Sequence, residues 1–246
     1  DRPVPRSVTA LNKPEVAMSA ALLAMTPEPL ERPLPTPQPE AMCPLNAAFA
    51  DSQALRTTVD LGDDLFLAGA AADYAYRVEA GVLMSYRLLR DGRRQVVDFH
   101  LPGEFLGLEA GVDYTTAVQA LTPAVVAGMR RRRLSALAAT DVRLTGALWA
   151  ASVKVCQRSQ DHAAILARQS ATERVAAFLL AYARRIGSLD DMILPMSRQD
   201  MADFLGLAIH TVSRTLTQME GSGLISARSS RHVRLVRRDR LEALCS

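Results

Sequence analysis

This chain of 246 residues has only three cysteines, four histidines and one tryptophan, and each scarcity removes a class of function. Cys43, Cys156 and Cys245 are odd in number and far apart, which excludes a disulfide framework and a four-cysteine metal site. His100, His162, His210 and His232 fall in separate stretches with no His-x-His pair, so no compact ligand set for a catalytic metal is visible. A Gly-rich phosphate loop and a Gly-x-Ser-x-Gly elbow are also missing, and no convergent acid–base groups stand out. An enzyme is not expected. No apolar run reaches the about eighteen residues of a membrane span. The apolar stretch Val16 to Met25 is short, lacks the usual basic flank and leads into proline-rich chain. A cytoplasmic protein without a membrane partner is expected.

What is present is unevenly distributed. Ten of the thirteen prolines lie between Asp1 and Pro44, which predicts an extended arm or tail, because proline propagates neither a helix nor a central strand. The net charge is +3, and the stretch Ser197 to Ser246 carries all of that excess, with eight arginines against five acids. A basic C-terminal end favours an anionic partner.

Within that end, Pro195 to Glu220 is the most informative stretch. Ser197 is a good N-cap, and Asp200 three residues on completes an acidic capping box, so a helix starts at about Arg198. Gly206 ends it after two turns, and a second helix begins at once. Small Ala202, turning Gly206 and β-branched Val212 fall where a helix-turn-helix needs them. In the second helix Val212, Leu216 and Met219 make an apolar stripe, which leaves His210, Ser213, Arg214 and Thr217 on the other face. An arginine there can fork onto the O6 and N7 of guanine, and no carboxylate lies between Asp203 and Glu220 to repel a phosphate. Downstream, Leu224 to Ala227 and His232 to Val236 flank a basic loop and predict a hairpin wing.

The middle of the chain has a different grain. From Leu45 to Met129 short β-like runs alternate with turn signals, among them Asp91-Gly92 and Pro102-Gly103. This predicts a small β-roll or jelly roll. Helix resumes at about Arg131, and Leu144, Leu148, Ala151, Val155, His162 and Leu166 lie close to one stripe of a long helix. A two-stranded coil is the expectation for such a seam.

Thr211-Val-Ser-Arg214 resembles the recognition helix of the Crp/Fnr superfamily of transcription regulators. The β-like region is similar to its sensor domain in Gly62-Asp63, in Tyr76-x-Val78-x-x-Gly81, and in Asp91-Gly92 followed by Gln95, Phe99, Pro102-Gly103 and Gly107. The resemblance runs from about Leu45 to the C-terminus and implies an α+β chain. Its parts would be a proline-rich arm (1–44), a β-roll (45–130), a dimerisation helix (131–168) and a winged helix-turn-helix (169–246). Ser213 before Arg214 is similar to the FNR and FixK branch. By that resemblance Arg214 would read the guanine of a TTGA-like half-site and Ser213 a neighbouring base. Ile209 and His210 belong to the same set, while Gln199, Thr211 and Ser197 would hold phosphates. His210 departs from the family's usual Glu. The implied partners are double-stranded DNA, a second copy of the chain through Leu144, Leu148, Val155, His162 and Leu166, and RNA polymerase through loops such as that around Asp91 to Arg94.

No cofactor is expected. In the cyclic-AMP branch a Gly-Glu and an Arg-Ser or Arg-Thr pair clamp the nucleotide; Gly103-Glu104 is here, but Phe105 to Met129 holds no arginine. An iron–sulfur cluster of the FNR kind needs thiolates in number, and the N-terminal stretch has only Cys43. Cys156 and Cys245 are the redox candidates, Cys156 against an alternative as a small buried hydrophobe and Cys245 through exposure near the C-terminus. The rival readings are a haem- or ligand-gated regulator and a cupin-like metalloenzyme.

Overall fold

The computed structural model describes residues 43–50, 54–188 and 190–245; the proline-rich stretch, apart from Cys43 and Pro44, lies outside the described residues. The first element, α1 (Pro44–Ala50), is a helix that the β-like grain after Leu45 conceals. Proline suits its first position, where the missing N–H has no helical partner to lose, and Leu45 and Phe49 share its inward face.

Eight strands follow: β1 (Leu55–Val59), β2 (Asp64–Phe66), β3 (Tyr74–Ala80), β4 (Leu83–Leu88), β5 (Arg94–His100), β6 (Phe105–Leu106), β7 (Ala117–Ala120) and β8 (Ala124–Arg130). They form two four-stranded antiparallel sheets, ordered β1-β8-β3-β6 and β2-β7-β4-β5. The run Ala75 to Leu89, continuous in sequence, is divided at Gly81. That residue has φ 78°, and a Cβ on it would overlap the Pro123 carbonyl. The turn passes the chain from one sheet to the other. Asp91-Gly92 makes the expected hairpin, with Gly92 at φ 82° and its N–H donating to the Leu89 carbonyl at 2.9 Å.

Alternation along the strands builds three layers of core. Leu83 and Val126 point between the sheets, where they meet Phe66, Val78, Leu106 and Val118. Ala127 and Met129 point the other way, onto Leu45, Phe49 and Leu134. Met84 and Phe99 face outward from the second sheet and are covered by the C-terminal elements. Both sheets are therefore buried on two faces, which explains why runs such as Ala124 to Met129 are almost wholly apolar.

The stretch expected as one helix is two, α2 (Arg131–Thr140) and α3 (Val142–Leu166). The break falls at Asp141, whose side chain accepts from the Arg143 and Leu144 amides as an N-cap. A short acid favours that role over a helix interior. Then come α4 (Ala171–Arg185), β9 (Asp191–Ile193), α5 (Arg198–Leu205), α6 (Ile209–Gly221), β10 (Ile225–Ala227), β11 (His232–Leu235) and α7 (Arg238–Ala243). Strands β10, β11 and β9 pair antiparallel in that order, so the wing is a three-stranded sheet beside the helix-turn-helix. Phe204 of α5 sits 5.1 Å from Phe99 of β5 and 5.5 Å from Phe178 of α4, ring centre to ring centre. The β-roll and the winged helix share one apolar cluster.

Candidate nucleic-acid interface

Helix α5 starts where its sequence says it should. The Ser197 hydroxyl accepts from the Asp200 amide at 3.1 Å, and the Asp200 carboxylate accepts from the Ser197 amide at 2.8 Å. Gly206 closes the helix in the left-handed region at φ 63°, and Leu207 donates back to Ala202 at 3.0 Å. The tight turn crosses α6 over α5. Val212, Leu216 and Met219 are buried as expected, each contributing about 1.5–3 kcal/mol by leaving water. That burial fixes which face of α6 is turned out.

On the outer face His210, Ser213, Arg214 and Thr217 are exposed, Thr211 is half-buried at its edge, and Ile209 is exposed at the helix start. Among the described residues no acid or acceptor engages the Arg214 guanidinium, which leaves its fork free for a ligand. Gln199 is exposed, its amide donating to Asp203 at 2.6 Å. Ser197 forms the cap itself. Its hydroxyl and its amide both serve the cap, and the hydroxyl also donates to Asp200 at 2.7 Å. Arg198, not singled out from sequence, lines a cleft of about 150 Å³ with Ser213, Thr217 and Glu220. Burial pushes its guanidinium below the usual arginine range. The signal available in sequence was the cation next to the N-cap. Beyond α6 the wing's turn exposes Arg228, Ser229 and Ser230, and the Ser229 hydroxyl shapes it by accepting from the Arg231 and His232 amides.

The residues expected to form the dimer seam fall mostly on the side of α3 that faces its own chain. Leu144 is 4% exposed and packs with Met129 and Leu134 of its own chain, with Leu148 and Ala151 half-buried against the same cluster. His162 is 9% exposed; its ring stacks on Phe204 at 3.8 Å, and its Nε2 lies 2.7 Å from the Phe204 carbonyl. Leu166 is half-buried, and only Val155 of the five is open, at 37%. The stripe that stands out in sequence is thus the helix's inward face. Helix α3 carries a second stripe on the opposite side, Val142, Gly146, Trp149, Val153 and Cys156, at helical spacing. Val142 and Trp149 are 83% and 73% exposed.

The two redox candidates lie in different surroundings. Cys156 is exposed on that outer stripe and is no buried hydrophobe. Cys245 is half-buried, and burial pushes its thiol up, which disfavours the reactive thiolate.

The β-roll does not fit a cyclic nucleotide. Glu104, the acid of the expected Gly-Glu, already accepts from Arg185 Nη2 at 2.6 Å and Nε at 2.9 Å, and from the Leu101 amide at 2.9 Å. No arginine between Phe105 and Met129 is there to meet a phosphate. Stacked rings of Phe66 and Tyr114, 3.7 Å apart, fill the space between the sheets. Among the described residues no three histidine, cysteine or acidic side chains cluster as metal ligands, and no helix is long and apolar enough to cross a membrane.

Residues 173–244 match the model of the Crp-like helix-turn-helix domain, and residues 56–141 that of the cyclic nucleotide-binding domain. The nitrogen fixation regulation protein FixK of Rhizobium meliloti is 39% identical over 192 residues, covering 78% of this chain and 88% of the relative. FixK of Azorhizobium caulinodans is 43% identical over 196 residues, covering 78% and 77%. Among solved structures, FixK2 from Bradyrhizobium japonicum superposes with a TM-score of 0.75 at 38% identity, over 78% of this chain and 98% of that one. With the capped α5, the Gly206 turn and the open face of α6 in place, the chain belongs to the Crp/Fnr family of helix-turn-helix, DNA-binding transcription regulators, with the FixK proteins among its relatives.

Proposed function

We propose that the chain is a FixK-like activator that binds a two-fold related, TTGA-like duplex as a homodimer and needs no cyclic nucleotide or iron–sulfur cluster to do so. The observation that carries this is the outer face of α6, where His210, Ser213 and Arg214 stand open with nothing among the described residues drawn across them. Arg214 reads guanine, Ser213 and His210 reach neighbouring bases, and Thr211, Gln199 and Ile209 pack along the backbone. His210 in place of the usual Glu gives up an acceptor for cytosine N4 and shifts preference at that position.

The division of labour follows the chain: β-roll over 45–130, helical connection over 131–168, winged helix over 169–246. The second copy docks on Val142, Trp149, Val153 and Cys156, because most of the inward stripe of α3, Val155 apart, is packed within its own chain. Two recognition helices then meet half-sites about 34–36 Å apart. RNA polymerase meets the tip of the β4–β5 hairpin, where Leu88 is 71% exposed beside Arg90. Arg94 is not part of that surface, since it turns towards α5. A cytoplasmic location goes with that role.

The test is fluorescence anisotropy with a TTGA palindrome and a scrambled duplex across a salt series, without added ligand. Salt-sensitive preference for the palindrome, lost in Arg214→Ala, is the expected result. Equal affinity of the unaltered protein for both duplexes would overturn it.

A further inference from the structure

Resting on that reading of a dimer on a palindrome, we infer that two sets of arginine ion pairs between the β-roll and the winged helix make Arg185 and Arg94 positioning residues for DNA recognition. They set the angle at which α6 is presented, and with it the spacing of half-sites the dimer accepts.

The first set gathers three bodies on two carboxylates. Asp98 of β5 accepts from Arg158 Nε of α3 at 2.7 Å through one oxygen and from Arg185 Nη1 of α4 at 2.9 Å through the other. Glu104, in the loop before β6, takes Arg185 in a fork at 2.9 and 2.6 Å and lies 3.9 Å from Arg158 Nη1. The remaining reach of Arg185 goes to the Phe99 carbonyl. All four side chains are at most about one-fifth exposed. The second set lies at the other end of β5. Arg94 Nε donates to Asp203 at 2.8 Å, and its Nη2 to Asp200, the acid that caps α5.

Geometry makes these contacts directional. The covalent connection between α3 and α4 is the short stretch 167–170, which by itself permits rotation. The shared apolar cluster holds the two parts together, but apolar contact is not directional and tolerates sliding. Forked guanidinium–carboxylate pairs do not. Arg158 and Arg185 meet on the same carboxylate, so the helix proposed to carry the dimer seam and the first helix of the winged part are referenced to one point. Arg94 then fixes α5, on which α6 is folded. In this docked arrangement the outer face of α6 stays open, so the pairs orient the reader and do not hide it.

Arg185→Gln and Arg94→Gln lie outside the proposed DNA-contacting set, which makes them clean probes. Binding would be measured with the full chain on duplexes carrying two TTGA-type half-sites at the preferred spacing or with inserted base pairs, and on a duplex with one half-site. The expected result is a loss of about tenfold for the preferred spacing and a flattened spacing profile, with single half-site affinity retained. Hydrogen exchange in the free variants is expected to rise in β5 and at the start of α5, while α6 and β11 stay protected. Because Arg185→Gln could unfold the junction, the charge swap Arg94→Asp with Asp203→Arg is a second probe, expected to restore the profile that Arg94→Gln loses. Folded variants with the unaltered spacing profile and unaltered exchange would overturn the inference. If the unaltered protein shows no palindrome preference, the half-site reading fails instead; exchange in β5 and α5 then still decides the role of the arginines.

Discussion

At the scale of single residues, charge and burial decide two outcomes. Arg214 is exposed and unengaged among the described residues, so Arg214→Ala should leave the fold untouched and remove the proposed forked base contact. Discrimination against a changed guanine should fall by about 1–3 kcal/mol, read as converging affinities for matched and mismatched duplexes. Asp98 is the opposite case. Burial raises its carboxyl, yet the guanidinium of Arg185, with buried His100 and Arg158 beside it, outweighs that and holds it at about 2 against the ordinary 3.8. A depressed carboxylate stabilises the fold above its unfolded value and loses that contribution as pH falls through the folded one. The shift corresponds to about 2 kcal/mol at neutral pH. Urea melts of the unaltered protein should therefore lose stability as pH drops from 3.8 towards about 2. Asp98→Asn should be less stable at neutral pH and show a shallower fall over that window.

At the scale of elements, two glycines separate conformational strain from steric overlap. Gly206 and Gly81 both have positive φ, at 63° and 78°. A Cβ on Gly206 would meet the Leu166 side chain at 3.7 Å and the Arg174 guanidinium at 3.8 Å, both ordinary contacts, so Gly206→Ala should cost about 1–2 kcal/mol for the left-handed backbone alone. On Gly81 a Cβ would also overlap the Pro123 carbonyl and Ala124, so Gly81→Ala should cost well over about 2 kcal/mol. Thermal melts that rank the two the other way would contradict the account of the β3–β4 turn. Helix α3 teaches a related lesson. Its Leu144 and His162 stripe and its Val142 and Trp149 stripe lie on opposite sides, and periodicity alone cannot say which side faces the helix's own chain.

At the scale of the whole molecule, that distinction becomes a test of assembly. Trp149 is exposed and touches none of the three core clusters, so Trp149→Glu should leave melting nearly unchanged while a charge enters the proposed seam. Sedimentation should shift from dimer to monomer, and palindrome affinity should fall with it. A dimer that survives the substitution would move the seam elsewhere. The shared cluster of Phe99, Phe178 and Phe204 also predicts that β-roll and winged helix unfold together in one transition.

The sequence by itself determined what is local and periodic: the capped start of α5, the Gly206 turn, the inward Val212, Leu216 and Met219, the Asp91-Gly92 hairpin and the open face of α6. Each depends on neighbours within a few residues, where backbone sterics and a 3.6- or 2-residue repeat suffice. Tertiary structure alone decided the rest. It turned Leu144 and His162 inward, freed Trp149, spent the Ser197 hydroxyl on its cap, and joined Asp98 and Glu104 to Arg158 and Arg185 across 54 to 87 positions of chain. Ion pairs between residues so far apart leave no periodic trace, and which of two apolar stripes is buried depends on what the remainder of the chain lays against it.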